Sequence, residues 1–371
     1  MRAWAAAARA VARRAWREAQ LAGLEWGPDD PALVREILLG RRAAAGRAGR
    51  AGGGGSEGMT STTTPLPAAS GAPRVIDPRT GLDHVHLVVN DLDRVLPFYT
   101  DVLCFTLHRT GREAQGRTAR LGAGRHDLLR LSERPDAPRP EGTAGLHHMA
   151  FLVTERVELA RWLKRITDTG TPVERLLHHA PAAEAIYLPD PEGNTVELNW
   201  DPPRAAWSVP GRAPFTGNRP LDVEGLLGLL EGQPEAWDGP PPDTTFSHIH
   251  LRVGDLAAAR RFYVDVIGFE ETVFRAGEAG FVAAGGYHHH VAYNLSAGPG
   301  ILPQPEGSAG LAYFVVRVSD GAELERVLAR VRAAGLPTVP APPTANAGTG
   351  PGTLVRDPAG LGVVLAAAVP R

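Results

Sequence analysis

The stretch LDHVHLVVNDLDRVLPFYTDVLCFTL (82–107) returns as FSHIHLRVGDLAAARRFYVDVIGFEE (246–271). Repetition on this scale marks one supersecondary unit used more than once. Each copy reads as a strand, then an Asp in NDL or GDL capping a short amphipathic helix that ends in Phe-Tyr, then a turn and a second strand. In the first helix Leu92, Val95, Leu96 and Tyr99 fall at i, i+3, i+4 and i+7, and Phe98 joins them in a core-facing stripe. Weaker echoes follow. GLHHMAFLVTERVELARWLKRITDTG (145–170) matches GLAYFVVRVSDGAELERVLARVRAAG (310–335), each a strand and a helix. AIYLPDPEGNTVELNW (185–200) matches GTLVRDPAGLGVVLAA (352–367), each a strand, an Asp-Pro-x-Gly turn and a strand. The chain therefore carries four βαβββ-like units. Taken with their neighbours they form two pairs, about 82–200 and 246–367. The expected fold class is α+β, each pair a curled mixed sheet around a cavity with one helical layer.

This organisation divides the 371 residues into a low-complexity tail (1–74), a first module (75–203), a Pro-rich linker (204–244) with a short helix around 222–231, and a second module (245–371). The opening MRAWAAAARAVARRAWREAQLAGL is rich in Ala and Arg and resembles an organelle transit peptide, but RRAAAGRAGRAGGGGSEG after it has linker composition and Met59 follows at once. We read it as an appended segment or an upstream start, with the fold beginning near residue 75. The net charge of −2 argues against nucleic-acid or anionic-membrane partners. No run of 18 apolar residues occurs, so no transmembrane helix is expected. The single cysteine, Cys104, excludes an internal disulfide and makes the cytoplasm the expected location. In VLCFTL it reads as a small core hydrophobe rather than a nucleophile.

The histidines carry the chemistry. Residues i and i+2 of a strand share a face, so His84 and His86 lie on one side of theirs. His148 occupies the equivalent strand of the second unit, and Glu197 lies on that unit's last strand. Two imidazoles and a carboxylate brought into one cavity are the ligand set of a facial triad on Fe(II) or Mn(II), with no thiolate nearby to favour structural zinc. His147 is expected to point away from His148, and His86 lies one pleat beyond His84.

The repeated D-H-x-x-L-x-V-x-D-L…FY…V-L-x-F opening, with LHHMAF, EAIYLPDPEGN, TVELNW, RPLDVEGLL and GGYHHHVAYN, resembles the vicinal oxygen chelate superfamily of glyoxalases, bleomycin- and fosfomycin-resistance proteins and extradiol dioxygenases. The resemblance covers about residues 82–367 and is nearest to two-module catechol-2,3-dioxygenase-like proteins. It implies an extradiol ring-cleaving dioxygenase that takes a small aromatic diol and O2, with His84, His148 and Glu197 as metal ligands. It further implies that His126, in GRHDLLRL, acts on oxygen and that Tyr187 donates to the substrate oxygen. His178 or His179, nine and eight residues before Tyr187, serves as acid–base. In the second pair His248 matches His84, but Tyr313 and Val364 replace the other two ligands. This pair reads as a degenerate site, where His290 and His248 are the residues left to meet. Two rivals remain open: a glyoxalase-like isomerase or lyase, and a non-catalytic small-molecule binder. Homo-oligomer formation is also open.

Overall fold

The computed structural model describes residues 75–113, 116–207, 217–342 and 350–369. The tail expected over 1–74 lies outside the described residues. The first unit is β1 (Gly81–Val89), α1 (Leu92–Pro97), β2 (Thr106–Glu113), β3 (Gly116–Ala123) and β4 (His126–Glu133). The second is β5 (Gly145–Val153), α2 (Arg156–Thr169), β6 (Arg175–Ala180), β7 (Ala183–Pro189) and β8 (Thr195–Trp200). In the linker, β9 (Gly217–Pro220) and α3 (Val223–Gly228) follow. The third unit is β10 (Thr245–Arg252), α4 (Leu256–Arg260), β11 (Glu270–Arg275), β12 (Ala279–Ala283) and β13 (Val291–Asn294). The fourth is β14 (Gly310–Val318), α5 (Gly321–Ala333), β15 (Thr338–Pro340), β16 (Thr353–Arg356) and β17 (Gly362–Ala367).

Every unit lays its strands in the order first, fourth, third, second, with the first and fourth parallel and the rest antiparallel. The helix after the first strand provides the crossover that a parallel pair needs. The result is two mixed sheets flanked by helices, an α+β fold built by duplication.

The pairing of units differs from the sequence expectation. The eight-stranded sheet runs β15-β16-β17-β14-β1-β4-β3-β2, joining the first unit to the fourth. The nine-stranded sheet runs β11-β12-β13-β10-β5-β8-β7-β6-β9, joining the second to the third, with the linker strand β9 on its edge. The seams are antiparallel pairs of first strands, β1 with β14 and β10 with β5. Each first strand is buried almost throughout, as a central strand covered on both faces must be. Consecutive units are tied instead through their helices and turns. Trp162 on α2 donates to Leu103 O at 2.9 Å, and Arg330 on α5 donates to Val266 O at 2.9 Å.

The local signals hold. Asp91 and Asp255 cap their helices, each accepting from two backbone N–H groups of the first turn. Each of these helices then widens into a π turn, Phe98–Val102 and Arg261–Ile267. The wider turn buries both residues of each Phe-Tyr pair, whose rings meet edge to face at 5.0 and 4.9 Å. Cys104 departs from the core role expected of it. It is half-buried, at φ 56°, in the place where the repeat has Gly268 at φ 101°. Among the described residues no helix is long and apolar enough to cross a membrane.

The Tyr of each Phe-Tyr pair reaches the Asp-Pro-x-Gly turn of the following unit. Tyr99 donates to Asp190 at 3.0 Å, and Tyr263 donates to Asp357 at 2.9 Å. Burial pushes the Asp357 carboxyl up to about 6, against the bonds it accepts from Leu361 N, Tyr263 and Ala359 N. Between about pH 4 and 6 the folded protein keeps a proton that the unfolded chain gives up. Stability therefore falls as pH rises through this window, by roughly 3 kcal/mol at most. Asp357→Asn should flatten the Tm-against-pH curve there. An unchanged slope would show that the carboxyl is ionised in the folded state.

Candidate metal centre

The centre lies on one face of the nine-stranded sheet. His248 on β10 sits opposite Ala150 on β5, Ala150 opposite Glu197 on β8, and Glu197 opposite Tyr187 on β7. Neighbouring strands are about 4.8 Å apart, so the row brings a histidine, a carboxylate and a phenol together over the small side chain of Ala150. His148, two residues before Ala150 on β5, points to the same face. His148 Nε2 lies 3.1 Å from Glu197 Oε2, and His248 Nε2 lies 3.0 Å from the same oxygen. All three side chains are buried.

The remaining ring nitrogens are engaged, which aims both Nε2 atoms inward. His148 Nδ1 meets His147 Nδ1 at 2.9 Å, and His248 Nδ1 meets the Ser247 hydroxyl at 3.3 Å. Burial works to raise the Glu197 carboxyl, but the His248 and His148 imidazoles hold it well below the usual carboxylate range. Burial lowers His148 to about 4, only partly offset by Glu197. A carboxylate facing two imidazoles is a donor set for a divalent transition metal. The donor atoms of these three residues lie within 4.8 Å of one another.

The structure brings His148 and Glu197 together as expected, but it does not bring His84 to them. His84 lies in the other sheet, its Nδ1 2.7 Å from Asp83 and its ring 6.2 Å from that of Tyr313. The first-strand histidine of the cluster is His248, from the unit whose site was expected to be degenerate. The cause is the sheet pairing: a histidine at the same place in the repeat arrives from the third unit. His126 is likewise remote, exposed at the start of β4 in the eight-stranded sheet. The histidine that does stand beside the cluster is His289, whose ring centroid lies 4.2 Å from that of His248. His290 faces Phe269 and Tyr287 instead.

His179 and His178 separate clearly. His179 Nε2 is 2.7 Å from the Tyr187 hydroxyl, and its Nδ1 is 2.7 Å from Asn218 on β9. His178 lies one residue earlier on β6, on the opposite face. Burial lowers His179, and burial together with Glu197 raises Tyr187 well above its ordinary value.

His147 does not point away from His148. The β5–β10 register slips between His250 and Leu251, leaving His147 as the extra residue of a bulge. Its ring therefore turns to His148 and lies 4.7 Å from that of His250. His147 also lines a cavity of about 620 Å³, together with Leu146, Arg252 and Gln304. That volume is ample for a small molecule.

The sequence matches the Glyoxalase/Bleomycin resistance protein/Dioxygenase superfamily twice, over residues 81–198 and 245–365, and the chain belongs to that superfamily. It is 38% identical over 261 residues to the catechol-2,3-dioxygenase of Bacillus subtilis (strain 168), spanning 69% of this chain and 89% of that protein. It is 28% identical over 124 residues to the metallothiol transferase FosB of Staphylococcus epidermidis, which spans 32% of this chain and 81% of the transferase. The crystal structure of a candidate dioxygenase from Bacillus subtilis shares the fold, with a TM-score of 0.55 at 14% identity, covering 78% of this chain and 86% of that one. With its buried His–His–Glu set, the chain is an extradiol-dioxygenase-like member of the superfamily.

Proposed function

We propose that this protein is an extradiol dioxygenase that opens the ring of a catechol-type substrate with O2, at a divalent metal held by His148, Glu197 and His248. The observation that carries this reading is the convergence of two imidazole Nε2 atoms on one oxygen of a buried carboxylate. Three protein donors leave coordination positions for guests, and the donor types suit Fe(II) first and Mn(II) second. When bound, the metal supplies a common seat for diol and dioxygen and a path for electrons between them.

The remaining work belongs to side chains. His179, kept neutral by burial, takes a proton from a substrate hydroxyl through its Nε2. Tyr187, held protonated, donates its one hydrogen to His179 Nε2 in the resting site and turns it to the substrate oxygen as the diol binds, which frees Nε2 to take the proton. His289 takes the oxygen-side place that the resemblance implied for His126. His147, in the bulge, fixes the orientation of His148.

Anaerobic reconstitution with Fe(II) or Mn(II), followed by a panel of catechols in air, tests the reading. We expect one metal per chain, O2 uptake and a yellow ring-fission product. A protein that retains metal but consumes no O2 with any diol would point to the isomerase or lyase chemistry of the fold. A protein that retains none would point to a binding module.

A further inference from the structure

The eight-stranded sheet has an equivalent face without the metal donors. His84 stands where His248 does, Tyr313 where His148 does and Val364 where Glu197 does. Tyr313, Val315, Val364 and Ala366 pack there as an apolar cluster. One further exchange fills the space. In the metal-bearing sheet β13 sets Ala292 beside His250, whereas β4 sets Arg130 beside His86 in the same parallel register. A guanidinium thus occupies room that the other sheet leaves to a methyl group.

Arg130 is 1% exposed. Its Nη2 donates to Asp127 at 3.2 Å, but its Nε and Nη1 have no hydrogen-bond partner. His86 Nε2 is 2.8 Å from the Ser132 hydroxyl, and its Nδ1 has no partner either. With Ser132 donating, Nδ1 carries the ring proton. Bare donors in an interior each cost about 1–3 kcal/mol, so an occupant is called for. Beside them lies a cavity of about 10 Å³, lined by His86, Thr118, Arg120, Arg130, Ser132 and the exposed Glu113. That is about the room one water needs.

We propose that this cavity holds a buried halide-sized anion, chloride being the common one, clamped by Arg130 Nε and Nη1 and by His86 Nδ1–H. The donor count favours an anion over water. Water could accept two of these bonds and would then have two protons to place. Asp127, the carboxylate bonded to Arg130, is already engaged by Arg130, Arg120 and His108. Asp83 is engaged by His84 at 2.7 Å. After burial, the influences that lower His86 to about 3 are His84, Arg130, Arg134 and Arg120, cations or a potential cation without exception. The anion neutralises the buried guanidinium, so one sheet is pinned by a metal and the other by a halide.

Crystals of the metal-loaded protein soaked in bromide test this directly, with melting curves in chloride and in gluconate at equal ionic strength beside them. We expect an anomalous peak within hydrogen-bond reach of Arg130. Chloride should raise Tm saturably by about 3 °C. Arg130→Met should lose that response while keeping its metal. The peak decides if that variant does not fold: a site without bromide in the wild-type protein, filled by water, overturns the proposal.

Discussion

His248→Ala should remove metal and catechol turnover together, whereas His84→Ala should leave both near wild type. In the first variant Glu197 keeps only His148 at its oxygen, and the metal loses one of three protein donors. Even a residue that merely supports a ligand is worth about 10–100-fold in a metal site, so loss of a ligand should exceed a hundredfold in kcat. In the second variant the change lies in the other sheet, where His84 bonds Asp83 and touches nothing in the cluster. Metal per chain and O2 uptake, measured on protein of unchanged circular dichroism, check both. If His84→Ala lost its metal and His248→Ala kept it, the assignment of the ligands would be wrong.

His179→Gln and Tyr187→Phe come next, each expected to lower kcat by about 10²–10⁴-fold with metal content unchanged, the usual size of a lost acid–base contribution. Neither side chain is among the proposed ligands, and the 2.7 Å bond between them makes the two losses less than additive in the double variant. Burial places the His179 pKa below an ordinary imidazole. Activity of the wild type therefore persists below about pH 6.5 and fails only as the pH falls through this lowered value. His178→Gln, on the far face of β6, should change little. A large loss there with none at His179 would reverse the roles of the two residues.

The units themselves were legible because their signals are local. The Asp caps, the Phe-Tyr pairs and the Asp-Pro-x-Gly turns each act within a few residues, and all appear where the sequence put them. His148 and Glu197 were legible for the same reason, since both lie in one unit on adjacent parallel strands. Which first strands meet is not a local matter. β1, β5, β10 and β14 are four similar apolar strands, and nothing in their alternation says which pairs with which. Neighbours in sequence are the natural guess, and that guess put His84 where His248 belongs. The bulge at His147 escaped for a different reason: a two-residue period cannot show where one residue is inserted. His178 and His179 are told apart by Tyr187 and Asn218, and Asn218 sits on a linker strand that no local pattern adds to the sheet.

The two sheets are nested like brackets. The inner pair, with every proposed ligand, is closed once the chain has been made as far as β13. The outer pair must hold β1 to β4 in waiting until β14 emerges. During synthesis the half with the proposed ligands can thus assemble first, while the buried edge of β1 stays open for the longest time of any seam among the described strands. The part of this protein most exposed to faulty pairing in the cell is the half that holds none of the proposed ligands.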